Sequence, residues 1–303
     1  MVLAAGLGSR LRPLTTSTPK PLVPVGDRAA LAHVLERLAR AGVTRVVVNA
    51  HHEAGAMAAF LAARAWRERP RLSPEVELLG TAGGLGRAAP LLGGGPVLVW
   101  NADILVDLDV NALLGAHADR PAREATLVVQ VRNAGEGTVG LDSSGRVVRL
   151  RRERFAAEAD EESGAEFVGV HVIGEGLRAD LPERGCLVSD VYLPALRRGA
   201  RLESFRWDAP FFDIGSVERY LEANLAWLTR RALASWKGPR AAVADGVTLD
   251  RSVVGEGATV AGQGSLERCV VWPGAAAEAP LADAVVIPGA VVRVAHAKAS
   301  APP

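Results

Sequence analysis

The chain has almost no cysteine, no excess of either charge and no long apolar run. Two cysteines, Cys186 and Cys269, stand among 303 residues. That scarcity suits a reducing compartment, and each thiol reads first as a small apolar filler. Thirty-five Lys and Arg balance 34 Asp and Glu, for a net charge of +1. Such a balance gives no reason to expect nucleic acid or a membrane surface as partner. No apolar run reaches the roughly 20 residues that span a bilayer. The first strand is expected to start at Met1, which leaves no room for a signal peptide, so the cytoplasm is the expected location.

Also missing are the usual phosphate-loop endings. Residues 3 to 26 read Leu-Ala-Ala-Gly-Leu-Gly-Ser-Arg-Leu-Arg-Pro-Leu-Thr-Thr-Ser-Thr-Pro-Lys-Pro-Leu-Val-Pro-Val-Gly. No Gly-Lys-Ser/Thr follows Gly6 and Gly8, and the third glycine of a dinucleotide fingerprint is absent. What is there is a short strand running into a glycine-rich loop, with Arg10 inside it and Lys20 just beyond. Prolines 13, 19 and 21 stiffen the segment. A tight turn alone explains the glycines but not two cations held in that way. Backbone N–H groups can wrap phosphates while the cations hold them.

At 49% hydrophobic and 23% charged, the chain has enough apolar residues for a large core. At roughly 150 residues per domain it suggests two. The first half alternates apolar runs (44–50, 96–100) with helical patterns (29–41, 55–68). Unbroken apolar strands are buried on both faces, so an α/β fold is expected, a Rossmann-like and mostly parallel sheet with helices on both faces. In such sheets ligands bind beyond the carboxyl ends of the strands, where the glycine loop, Asn49 to His52 and Asn101 to Asp103 all fall. A hairpin is predicted over 137–150, an exposed charged segment over 151–164, a strand over 166–174, and helices over 188–198 and 216–236. The tail differs. Ser252-Val-Val-Gly-Glu-Gly-Ala258 is echoed by Cys269-Val-Val-Trp-Pro-Gly-Ala275 and Ala284-Val-Val-Ile-Pro-Gly-Ala290. Single apolar residues recur about every six positions between them, the pattern of a short hexapeptide-repeat left-handed β-helix. The expected domains are 1–236 and 237–303.

The string from Leu3 to Gly26 resembles the signature of the sugar-1-phosphate nucleotidyltransferases, most closely the mannose-1-phosphate guanylyltransferase-like members. The likeness runs to about residue 230. It implies attack of a sugar 1-phosphate on the α-phosphorus of a nucleoside triphosphate, with pyrophosphate leaving. Catalysis would then be positioning and electrostatics, with no protein nucleophile. By resemblance Arg10 holds the triphosphate, Lys20 bridges the two phosphates, and Asp103 and Asp213 hold Mg²⁺. Arg10, Lys20 and Asp103 would be the catalytic set. Nucleotide contacts would come from Leu3, Ala5, Gly6, Gly8, Ser9, Arg10, Gly80, Thr81, Gly83 and Asn101, the last group including the Gly80-Thr-Ala-Gly-Gly-Leu85 segment that opens a helix. Sugar-phosphate contacts would come from Lys20, Gly140, Glu166 and Gly169. Arg12 is a further cation near the loop, and His51 and His52 are weaker candidates. The partners implied are the triphosphate and the sugar 1-phosphate, and the β-helix suggests a homo-oligomer such as a dimer.

Two departures stand out. The family's Glu-Lys-Pro after the hairpin is replaced by Arg149-Leu-Arg-Arg-Glu-Arg154; Arg151 or Arg152 could substitute for its lysine, although arginine is not an equivalent cation. Phe212 precedes Asp213 where the family has tryptophan. These leave open thymidylyl or uridylyl transfer to glucose 1-phosphate or an amino-sugar phosphate, and a catalytically silent homologue that binds nucleotide sugar.

Overall fold

The structure is a computed structural model and describes residues 1–119, 124–155 and 161–294. It splits into two compact units. One comprises Met1–Leu7 and Val34–Phe211, the other Gly8–His33 and Phe212–Pro303.

In the first unit the apolar runs become strands. β1 (Val2–Leu3), β2 (Val47–Ala50), β3 (Arg71–Pro74) and β4 (Val97–Asn101) are mutually parallel in the order β3-β2-β1-β4. Val2, Val47, Val48 and Val99 are wholly buried, as expected of strands covered on both faces. Helix α1 (Ala54–Ala63) joins β2 to β3, and α2 (Gly80–Leu92) carries the chain back from β3 to β4. Right-handed crossovers in opposite directions put these helices on opposite faces. The strand order therefore reverses between β1 and β4. Leu3 is in register with Asn101, and the Ala102 N–H donates to the Leu3 carbonyl at 2.9 Å, so the loops leaving the two strands start side by side.

The rest of this sheet is mixed. β5 (Ala125–Arg132), β6 (Val139–Leu141), β7 (Val147–Leu150), β8 (Glu153–Arg154), β9 (Ser163–Ile173) and β10 (Leu202–Arg206) complete it. β9 runs antiparallel to β4, β5 and β6, while β10 is parallel to β5. The expected hairpin is β6–β7. Asp142 Oδ1 closes its turn by accepting from the Ser144 and Arg146 amides at 2.9 and 3.0 Å.

Two helices end earlier than their patterns predict. α1 stops at Ala63 because Trp66 folds back over it. Its indole N–H donates to the Leu61 carbonyl at 3.1 Å and its ring meets Phe60. The helix read over 216–236 is Val217–Arg230, capped by Ser216. Ala232 takes a left-handed conformation and Trp236 starts a strand instead.

In the second unit the C-terminal repeats stack. Trp236 pairs in parallel with Val253, and Val253 with Val270, a rise of 17 residues per coil. Val270 then pairs with Val285. Val253, Val254, Val270, Val271, Val285 and Val286 are all at most 2% exposed, so the three echoes form one apolar stack. Buried Ser252 ties the turns together, donating to the Leu266 carbonyl at 2.9 Å and accepting from the Cys269 amide at 3.0 Å. After Ile287 the chain reverses, and Ala290–Arg293 lies antiparallel on the last rung. Helix Val217–Arg230 packs against this coil, with Trp227 edge-on to Trp236 and Tyr220 to Trp272. Among the described residues no helix is long and apolar enough to cross a membrane.

Candidate active site

In the first unit, the candidate residues cluster at the reversal of strand order. Leu3 and half-buried Asn101 end β1 and β4, and half-buried Asp103 follows one residue after Ala102. Ala5 is buried, whereas Gly6 is exposed with open space where a side chain would stand. Gly169 has φ +85°, and a Cβ there would meet the Asn101 amide nitrogen at 2.8 Å. The glycine thus lets the Asn101 side chain cross β9.

Asn49 does not face a cleft. It is 2% exposed, accepts from the Ala4 amide through Oδ1 at 2.7 Å and donates from Nδ2 to Glu75 Oε1 at 2.6 Å. Glu75 Oε2 in turn accepts from the Leu79 amide at 3.1 Å. Glu75 carried no sequence signal beyond being one acid near the Gly80 segment. His51 spends Nδ1 on the Glu75 carbonyl at 3.1 Å, the ordinary structural use of a histidine.

The Gly80 segment does open α2, but Thr81 does not cap it. Leu79 is the N-cap residue, and the Thr81 hydroxyl accepts from the Leu187 amide at 2.8 Å. The Ala82 amide donates to the Gly185 carbonyl at 2.9 Å. A Cβ on Gly80 or on Gly83 would strike the carbonyl of Gly185 or Glu183 at 2.4 Å. These glycines admit the 183–185 backbone, with Gly80 exposed and Gly83 buried.

The charged stretch after the hairpin is described at both of its ends. Its residues 156–160 lie outside the described residues, but Glu161 is not an exposed charge. Its side chain is 3% exposed and takes both Nε and Nη2 of Arg149 at 2.8 Å. The guanidinium holds the Glu161 carboxyl below the usual carboxylate range. Arg149 also donates to the carbonyls of Gly137, Arg151 and Glu136 at 3.0 Å. Gly140 is a glycine because this pair lies over it; a Cβ would sit 2.5 Å from the Glu161 carboxylate. Glu166, half-buried on β9, accepts from the Thr138 hydroxyl at 3.3 Å. Arg151 donates to Ser189 Oγ at 2.8 Å, and Arg152 is exposed.

In the second unit, Gly8 has φ +63° and begins a single helical turn, Ser9–Leu11. Leu11 is buried, which turns Ser9, Arg10 and Arg12 outward. A Cβ on Gly8 would meet Cβ of Lys20 at 3.0 Å, so the loop closes over the lysine. Lys20 Nζ then stands 4.0 Å from Asp213 Oδ1, its side chain 11% exposed. The point where Gly215 would carry a Cβ is 3.3 Å from Arg10 Nη2 and 2.9 Å from Asp213 Oδ1. Arg10, Lys20 and Asp213, far apart in sequence, thus share one small space. Arg219, which drew no attention in the sequence, donates to Asp213 Oδ2 at 3.4 Å. Phe212 lies under Arg230, whose guanidinium is 5.5 Å from the ring centroid. The same unit holds a cavity of about 700 Å³ walled in part by Trp236 and Trp272, but Arg10, Lys20 and Asp213 do not line it.

Residues 1–230 match the family model described as nucleotidyl transferase. The chain belongs to the nucleotidyl transferase family. Its similarity to a mannose-1-phosphate guanyltransferase of Aspergillus fumigatus is 30% identity over 237 residues, 77% of this chain and 65% of that protein. It thus spans less than two thirds of that relative's length. With the N-acetylmuramate alpha-1-phosphate uridylyltransferase of Neisseria meningitidis it shares 34% identity over 74% of this chain and 96% of the other. The fold is that of HddC from Yersinia pseudotuberculosis, solved with GMP-PN. The TM-score is 0.62 at 22% identity, over 75% of this chain and 97% of that one. Within this nucleotidyl transferase the two cysteines also part company. Burial pushes the Cys269 thiol up to about 11, as befits a filler. Cys186 is half-buried, and its thiol lies below the ordinary range. Burial raises its pKa, but hydrogen bonds from the Ser189 and Val188 amides and the Ser189 and Thr81 hydroxyls outweigh that effect.

Proposed function

We propose that the chain joins a nucleoside triphosphate to a sugar 1-phosphate, releasing pyrophosphate and a nucleotide sugar. One observation carries this reading. Two cations of the glycine-rich segment, Arg10 and Lys20, gather about the carboxylate of Asp213. In-line transfer between two anions needs such an arrangement, because charge must be neutralised while the reacting phosphates are held together. Exposed Gly6, with Gly8 and Ser9, offers backbone amides to the triphosphate. Arg10 draws charge off the departing pyrophosphate, and Lys20 holds the attacking and α-phosphates in line. Leu3, Ala5, Asn101, Gly80, Thr81 and Gly83 frame the nucleoside. Gly140, Glu166 and Gly169 frame the sugar, with Arg151 or Arg152 replacing the family lysine.

The carboxylates suit a hard cation. Asp213 Oδ1 is buried and, among the described residues, has no hydrogen-bond partner. Among the described residues no group of three or more His, Cys, Asp or Glu side chains forms a metal cage. Mg²⁺ is characteristically held by one or two carboxylates together with substrate phosphates. Asp103 and Asp213 would hold it, and when bound it supplies positive charge to the phosphoryl oxygens.

For the substrates we favour GTP and mannose 1-phosphate, supported by the name of the Aspergillus relative. A second reading, uridylyl transfer to an amino-sugar phosphate, is supported by the near-complete coverage of the Neisseria relative. We place the chemistry in 1–236 and assign 237–303 to a left-handed β-helix serving a homo-oligomer. The setting would be cytoplasmic synthesis of polysaccharide precursors.

The test is pyrophosphate release with Mg²⁺, running GTP, dTTP, UTP, ATP and CTP against a panel of sugar 1-phosphates. One pair is expected to dominate. Asp103→Asn and Asp213→Asn should each cut turnover about 100-fold or more with an unchanged melting midpoint. Turnover that survives Asp103→Asn would remove the metal assignment. Silence of folded protein across the panel would favour the homologue that binds nucleotide sugar without chemistry.

A further inference from the structure

Asn49 and Glu75 form a buried chain of hydrogen bonds that joins two loops. It runs from the Ala4 amide to Asn49 Oδ1 (2.7 Å), from Asn49 Nδ2 to Glu75 Oε1 (2.6 Å), and from the Leu79 amide to Glu75 Oε2 (3.1 Å). Ala4 opens the glycine-rich loop, and Leu79 is the residue from which helix α2 starts. Asn49 and Glu75 are 2% and 4% exposed, so neither is placed to touch a ligand. Gly84 accommodates the pair. A Cβ there would lie 2.6 Å from Glu75 Oε1 and 2.7 Å from Asn49 Nδ2. The backbone holds the same point, since the Glu75 amide donates to the Ala50 carbonyl at 2.8 Å.

We infer that this bridge sets the spacing between the glycine-rich loop and the Gly80 loop, making Asn49 and Glu75 positioning residues for the triphosphate. The inference rests on the proposed function, in which one loop meets the phosphates and the other the base. A carboxylate is the group required at position 75. It accepts at both oxygens, one from the Asn49 side chain and one from the Leu79 amide. An amide in its place has one acceptor and must face one N–H with its own. A buried donor facing a donor pushes the groups apart, since each loses the bond it had and gains none from water. The displacement would fall on the two loop starts.

The donor order also gives a decisive test. In Glu75→Gln one donor–donor contact remains in every orientation of the two amides. In Asn49→Asp two carboxylate oxygens face each other where Nδ2 met Oε1. In the double variant the chain closes again with its middle bond reversed. The carboxylate introduced at position 49 then accepts from the Ala4 amide and from the side-chain amide introduced at position 75. The oxygen of that side-chain amide accepts from the Leu79 amide. Each single variant should raise KM for the preferred triphosphate about tenfold, with kcat and the sugar-phosphate KM changing much less. The double variant should recover most of the triphosphate KM. Wild-type protein is assayed first, for turnover and for triphosphate binding by calorimetry. If it neither binds nor turns over any triphosphate, the functional reading fails and the inference with it. If wild type is active, two outcomes overturn the inference alone. In one, the single variants lose melting temperature but keep the triphosphate KM. In the other, the double variant is no better than the worse single. Should Asn49→Asp fail to fold, the comparison of Glu75→Gln with the double variant decides the same point.

Discussion

His171 is a buried base. It is 3% exposed on β9, among the described residues neither ring nitrogen has a hydrogen-bond partner, and its ring lies between Phe167 and Tyr192 at centroid distances of 5.5 and 5.6 Å. Burial pushes its pKa down to about 3. The unfolded chain takes up this proton near the ordinary value of about 6.5, whereas the native state refuses it until much lower pH. Unfolded protein therefore binds more protons between those values, and stability falls as pH drops below about 6.5. At pH 5 this group alone should cost about 2 kcal/mol relative to pH 7. Urea unfolding at both pH values checks it, because His171→Phe should flatten the difference by that amount. An unchanged difference would assign the acid sensitivity elsewhere. Residues of this kind were not legible in the sequence. His171 reads as one more polar position in a strand, and Glu75 as one acid among several. What each does depends on strands that the topology brings beside it. The glycines behave alike. Gly140 and Gly169 draw notice as sugar-side candidates, yet what demands glycine there is the Glu161 carboxylate in one case and the Asn101 amide in the other.

At the scale of elements, periodic apolar patterns were the legible part. The runs at 44–50 and 96–100 became β2 and β4, and the Val-Val echoes of the tail became stacked rungs. A two-valine echo is visible because every coil must present the same surface to its neighbour. Helix ends were less legible. They were set by Trp66 folding over Leu61 and by the coil claiming Trp236, both contacts that the helical periodicity does not encode. The coil also contains one polar residue in an apolar stack. Ser252 is fully buried, and its hydroxyl satisfies the Leu266 carbonyl and the Cys269 amide of the next turn. Ser252→Ala should leave that buried amide unpaired and cost about 1–3 kcal/mol. A drop in the urea midpoint is the expected result. No change would mean that the turns are held by their valines alone.

On the scale of the whole chain, the second unit is assembled from both ends of the sequence. Tyr220 joins them. Its hydroxyl donates to the Pro24 carbonyl and accepts from Trp272 Nε1 at 2.9 Å. Close by, Asn224 Oδ1 accepts from the Gly26 amide at 2.8 Å, and Gly26 lies flat on Trp227, where a Cβ would come within 2.0 Å of the ring. The segment carrying Lys20 thus rests on helix Val217–Arg230, which rests on the coil. Trp272→Ala should cost about 3–5 kcal/mol, as large buried aromatics do. It should also expose residues 13–29 to limited proteolysis. Protection equal to wild type in that segment would show that the coil is not its support.

The antiparallel strand Ala290–Arg293 bears on how the molecule behaves in a crowd. A stack of parallel rungs ends in an unfilled ladder, and another chain can extend such a ladder indefinitely. Here the end of the last rung, from Ala284 to Ile287, is occupied by its own continuation, running the wrong way to propagate the coil. Arg293, paired opposite Ala284, sets a charge at that terminus. Over that part of the rung the chain carries its own full stop, and end-to-end addition of a parallel strand is blocked there.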